Sequence, residues 1–185
     1  SFLSNDILHL RERGVEIPML RCDQIQLRGE HNVMNALAAF AIGYAANIPL
    51  DAMREAAEDF HGVAHRLEFV REWKGAKWYN DSIATAPERT MAAIRSFSEP
   101  IVLLLGGRDK NLPWEELAAL VHERVERVVI FGEASEKIAA ALEQAKGPLK
   151  KTVERCKDLE EAVQVAARMT APGEVVLLSP GGTSF

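Results

Sequence analysis

Cysteine is scarce in this chain: there are two among 185 residues, Cys22 and Cys156, with no CxxC pair. That count excludes a disulfide framework, and without histidines at metal-ligand spacing it gives no zinc module; two reduced thiols of a cytosolic protein are expected. The histidines are scattered, and His9, His61 and His122 are expected to be structural or surface groups. No apolar run approaches the roughly 20 residues of a membrane-spanning helix, and no signal peptide opens the chain. An excess of positive charge is also missing. A net charge of −5 argues against a protein that holds nucleic acid or an anionic membrane by bulk electrostatics, although a local basic cluster could still hold a small phosphate ligand. Two nucleotide signatures are absent as well: GxxxxGK(S/T), which cradles phosphates, and GxGxxG, which marks a dinucleotide fold. A chain that opens at Ser1 and stops at Phe185 inside the loop-like SPGGTSF is expected to be part of a longer protein.

What is present is a composition for a packed core, 48% hydrophobic and 26% charged. The first thirty residues read as β-rich, with QIQL running to a turn at Arg28-Gly29-Glu30. An apolar helix is expected from Asn32 through ALAAFAIGYAA, with Asn32 placed to cap it, and a second from Pro49 through LDAMREAAEDF. HGVAHR breaks the pattern and is the candidate linker, a hinge pivoting at Gly62. Beyond it, LEFVREW and AKWYND read as strands about a Lys74-Gly75 turn. Strands and helices then alternate: PERTMAAIRSF, IVLLL, PWEELAALVHER, RVVIFG, SEKIAAALEQA, KKTVE, DLEEAVQVAARM and EVVLLS. Uninterrupted apolar strands alternating with helices predict an α/β fold with a mostly parallel, doubly wound sheet.

In such a sheet ligands bind beyond the carboxyl ends of the strands. That rule selects Asn80-Asp81-Ser82, Gly106-Gly107-Arg108-Asp109-Lys110, Gly132-Glu133 and the run from Ser179 to Ser184. The glycines of GGRDK let backbone approach a ligand and Lys110 supplies a cation, unless the segment is a plain turn with a solvated lysine. SPGGTS offers hydroxyls and backbone N–H groups that suit an anion. Asp81 can accept from a sugar hydroxyl while Ser82 and Thr85 donate to oxygens; alternatively Asp81 or Ser82 caps the next helix. Arg66, beside His65 in the linker, could reach a phosphate between two domains or lie solvated.

Taken in order, GEHNVMNALAA, VAHRLE, WYNDSIAT, LLLGGRDK and LLSPGGTSF resemble the Mur ligase family over nearly the whole chain. The resemblance implies that residues 1–62 are the end of a central ATP-binding domain and that 63–185 are the Rossmann-like, amino-acid-binding C-terminal domain. The implied reaction is ATP-dependent amide formation that adds D-glutamate to UDP-N-acetylmuramoyl-L-alanine in peptidoglycan precursor synthesis, in the cytoplasm. By the same resemblance Asn32 and Asn35 lie near adenine, His65 and Arg66 at the nucleotide, where Arg66 opposes phosphate charge, and Asp81 at the ribose. Thr85, Lys110, Ser184 and Phe185 hold D-glutamate, a dicarboxylate that needs a cation and hydroxyl donors. Mg2+ is implied with ligands upstream of this chain, and no catalytic group is assigned within it. Ile83 departs from the family, standing where many of its members carry lysine, and SPGGTS replaces the more usual SPACAS. The alternatives are another Mur or folylpolyglutamate-type ligase, or a non-catalytic nucleotide or amino-acid binding module.

Overall fold

IVLLL becomes the middle of a six-stranded sheet in the computed structural model, which describes residues 1–108, 111–145 and 152–183. The chain divides into two compact units, Ser1–Gly62 and Val63–Phe185.

In the first unit, β1 (Phe2–Ser4), β2 (Ile7–Glu12) and β3 (Val15–Arg21) form an antiparallel sheet. Helices α1 (Glu30–Ala45) and α2 (Leu50–Glu58) complete it. Leu8, Leu10, Met19, Leu20, Leu37, Phe40 and Met53 form its core. QIQL is not a strand: Gln24 ends a short 3-10 turn, and Gln26 and Leu27 lie in irregular chain before α1. Asn32 is not the helix cap. Gly29 takes that place with a φ of 96°, and Asn32 sits buried inside the first turn.

The second unit opens with a hairpin of β4 (Glu68–Trp73) and β5 (Ala76–Asn80). Lys74 and Gly75 have φ of 53° and 76°, as a two-residue type I′ turn requires. Then follow α3 (Pro87–Arg95), β6 (Ile101–Gly106), α4 (Glu115–Arg124), β7 (Val125–Phe131) and α5 (Ser135–Gln144). The unit ends with β8 (Thr152–Cys156), α6 (Leu159–Met169) and β9 (Val175–Gly181). The sheet order is β4-β5-β9-β6-β7-β8, with β4 antiparallel at the edge and the other pairings parallel. This is the α/β architecture expected from the alternation.

Strand side chains alternate between faces, so each strand feeds two cores. Leu103, Leu105, Val128, Ile130 and Leu177 pack with α3, α4 and α5. Val102, Leu104, Val129, Phe131 and Val176 pack with Ala162 and Ala166 of α6. Covering both faces is why these strands are apolar without interruption. The last strand, β9, inserts between β5 and β6, and this carries its glycine-rich end into the middle of the carboxyl edge.

Candidate functional site at the carboxyl edge

The sequence singled out four strand-end segments, and backbone hydrogen bonds join them in the structure. Gly181 N–H donates to Ala84 O at 2.8 Å, tying the end of β9 to the loop after β5. Arg108 N–H donates to Thr183 O at 2.9 Å, tying the β6 loop to the β9 loop. Ala134 N–H donates to Gly107 O at 3.0 Å and brings in the Gly132-Glu133 turn. The glycines permit this crowding. Gly107 has a φ of 103°, and a Cβ there would lie 2.5 Å from Thr183 O. Gly181 has a φ of 68°, and a Cβ would meet Trp114 at 2.9 Å and Thr90 Oγ1 at 3.2 Å. Side chains are excluded from these positions by space as well as by conformation.

Asp81 is buried at 4% exposure. It caps no helix: α3 begins at Pro87 with Ala86 as its unassisted cap, so neither Asp81 nor Ser82 serves that end. Instead Asp81 Oδ1 accepts from Leu67 N–H at 3.1 Å, and Oδ2 accepts from Ser179 Oγ at 2.8 Å. Behind Ser179, Thr90 Oγ1 lies 3.1 Å from both the Ser179 carbonyl and its Oγ. Thr90 and Ser179 are both 0% exposed. Their role was not read from the sequence. The signal was there, since Thr90 shares the buried face of α3 with Ala93, Ile94 and, one turn on, Phe97.

The segment 65–67 is latched to the loop after β5. His65 and Leu67 have φ of 67° and 45°, a costly region for residues with side chains. Ile83 N–H donates to His65 O at 3.1 Å, and Asp81 takes the Leu67 N–H, so neighbouring contacts hold the unfavourable backbone in place. Arg66 lies between the two left-handed residues with its side chain exposed. Thr85 is partly buried, and its N–H donates to Ile83 O at 2.9 Å. Lys110, Ser184 and Phe185 lie outside the described residues.

In the first unit, Asn32 Nδ2 donates to Arg28 O at 2.7 Å, and Asn35 Nδ2 donates to Asn32 Oδ1 at 3.2 Å. Asn32 thus organises the helix start, and Asn35 is exposed on its first turns. Among the described residues no three His, Cys, Asp or Glu side chains could hold a metal ion, and no helix is long and apolar enough to cross a membrane.

The family model "Mur ligase, glutamate ligase domain" matches residues 65–182. A UDP-N-acetylmuramoylalanine–D-glutamate ligase of Symbiobacterium thermophilum is 43% identical over 187 residues, covering 100% of this chain and 40% of the relative. A ligase of the same name from Clostridium perfringens is 44% identical over 166 residues, covering 88% of this chain and 36% of the relative. The chain therefore spans about two fifths of the length of these curated relatives. Among solved structures, the UDP-N-acetylmuramate–alanine ligase of Thermotoga maritima superposes with a TM-score of 0.70 at 21% identity, over 92% of this chain and 37% of that one.

Proposed function

The chain belongs to the Mur ligase family, and from that premise we infer that it is part of the enzyme that joins D-glutamate to UDP-N-acetylmuramoyl-L-alanine. The observation that carries this reading is the identity of 38–44% to ligases of that name, with 43% over the whole chain for one of them. In this reading residues 1–62 end the central ATP-binding domain, and 63–185 are the C-terminal domain that receives the amino acid. The enzyme works in the cytoplasm on precursors for the peptidoglycan wall.

ATP supplies a phosphoryl group that turns the muramoyl-alanine carboxylate into an acyl phosphate. The amine of D-glutamate then displaces phosphate, losing a proton as the amide forms. The chain's own contribution is binding and orientation. In this reading Asn32 and Asn35 serve the adenine, His65 and Arg66 the nucleotide, with Arg66 opposing phosphate charge, and Asp81 the ribose. The residues fit such a ligand by their donor and acceptor chemistry, while Gly107 and Gly181 let the loops of the carboxyl edge pack closely, a Cβ at either meeting protein atoms. Asp81 brings a carboxylate, an acceptor that suits sugar hydroxyls, and it accepts from Leu67 N–H and Ser179 Oγ. Thr85, Lys110, Ser184 and Phe185 serve D-glutamate, with Lys110 countering a carboxylate and the hydroxyls donating to it. Mg2+, whose ligands the resemblance puts upstream of this chain, would offset charge on the transferring phosphoryl group.

Phosphate release by the complete enzyme tests the reading. UDP-N-acetylmuramoyl-L-alanine and ATP should give turnover with D-glutamate and not with L-alanine, a diamino acid or a folate acceptor. Preference for any of those would reassign the chain to another ligase of the family.

A further inference from the structure

Asn80, the last residue of β5, stands between His65 and Glu68, and its amide orientation can be deduced. Ser82 N–H lies 3.0 Å from Asn80 Oδ1. A backbone N–H can only donate, so the amide atom facing it must be the oxygen. The reverse orientation would set two donors against each other and leave a donor unsatisfied. Nδ2 therefore occupies the other branch, 2.9 Å from His65 Nδ1 and 3.4 Å from Glu68 Oε2.

An amide nitrogen presents hydrogens and no usable lone pair, so the ring atom opposite it must be an acceptor. His65 Nδ1 is then unprotonated, and the proton of the neutral ring resides on Nε2. Glu68 does not compete for Nδ1. Its Oε2 is 3.9 Å from that nitrogen, outside hydrogen-bond range, and already accepts from His65 N–H at 2.8 Å. The backbone of His65 is held as well, through its carbonyl to Ile83 N–H at 3.1 Å. Among the described residues no side chain or backbone group takes Nε2, and the His65 side chain is 64% exposed.

We propose that Asn80 is a positioning residue that acts through His65: it fixes the imidazole as the neutral Nε2–H tautomer and so offers a hydrogen-bond donor to an acceptor oxygen of the nucleotide. The nucleotide half rests on the reading that residues 65 and 66 meet ATP. The opposite tautomer would present a lone pair at Nε2 and repel the same oxygen, so the choice made by Asn80 decides whether His65 favours or opposes the ligand. A neutral donor adds direction beside Arg66 without a second full charge.

Long-range proton–nitrogen correlation of the 15N-labelled chain reads the tautomer directly. Wild-type His65 should show an unprotonated Nδ1 and a protonated Nε2. Asn80→Asp puts an acceptor where the donor was and should reverse the pattern, protonating Nδ1. Asn80→Ala should give the averaged shifts of an unrestrained histidine. Should the Asp variant not fold, the wild type and the Ala variant suffice, with backbone amide spectra as the folding control. A wild-type ring already averaged, or protonated at Nδ1, overturns the assignment. In the complete ligase, saturating ATP should then move the His65 Nε2 resonance. An unmoved Nε2 with the tautomer intact overturns the nucleotide half alone and leaves the pairing of Asn80 with His65 standing.

Discussion

Ser179 Oγ donates a 2.8 Å hydrogen bond to Asp81 Oδ2 across 98 residues of sequence, with both groups buried. The bond joins the end of β9 to the loop after β5, and Asp81 passes the connection to Leu67 N–H. One buried carboxylate thus links the sheet edge to the segment that carries His65 and Arg66.

Ser179→Ala should destabilise the protein by about 1.5–3 kcal/mol, the cost of withdrawing a donor from a buried charged acceptor. Thr90→Val should also destabilise, since it keeps the volume and loses the hydroxyl beside Ser179, whereas Thr90→Ser should stay near wild type. Chemical denaturation of the three variants measures this. Changes within about 0.5 kcal/mol for Ser179→Ala would mean that the bond contributes little.

Gly107→Ala should lower the unfolding temperature. Its φ of 103° and a Cβ only 2.5 Å from Thr183 O leave no relaxed position for a methyl group. A cost of about 1–3 kcal/mol corresponds to a fall of roughly 3–9 °C in a chain of this size. Gly173→Ala is the control, because its φ of 86° is similar but nothing lies within 4 Å of the added Cβ, so it isolates the conformational part.

Neither thiol should react readily at neutral pH. Burial, the largest cause, pushes the Cys156 thiol above its ordinary value, and nearby Glu161 and Glu154 push it the same way. Cys22 is raised by burial first and then by Asp6 and Asp23. The thiolate is the nucleophile, so alkylation should be slower than for free cysteine and should accelerate only at alkaline pH. Cys156, the more buried, should lag behind Cys22. A fast-reacting Cys156 at pH 7 would contradict the burial.

In the complete ligase, the two cations should separate by substrate. Lys110→Ala should raise KM for D-glutamate and lower kcat/KM by about ten- to a hundredfold, with KM for ATP little changed. Arg66→Ala should depress kcat or ATP affinity, as the proposed role of opposing charge on the transferring phosphoryl group requires. If Lys110→Ala altered the ATP constant alone, the assignment of GGRDK to the amino-acid pocket would fail.

The 185-residue chain by itself should hydrolyse no ATP, since its sequence has no phosphate-cradling GxxxxGK(S/T) loop. Phosphate release above that of a heat-inactivated sample would refute this.

Periodicity determined much of this protein directly. The uninterrupted IVLLL and the repeating strand–helix order were enough for an α/β fold with a mostly parallel sheet, because a strand covered on both faces has no polar side to show. The strand-end rule likewise pointed to the loops that meet at the carboxyl edge. Tertiary structure decided what those loops do to one another. Local pattern favours a cap wherever Asn or Asp stands near a helix start, and it misplaced Asn32 and the Asp81-Ser82 pair for that reason. Asp81 is instead claimed by Ser179 and Leu67, partners that no local pattern connects to it. The insertion of β9 between β5 and β6 brings Ser179 there. Spacing in sequence encodes which face a residue occupies, but the partner across a crossover is set only when distant strands take their order in the sheet.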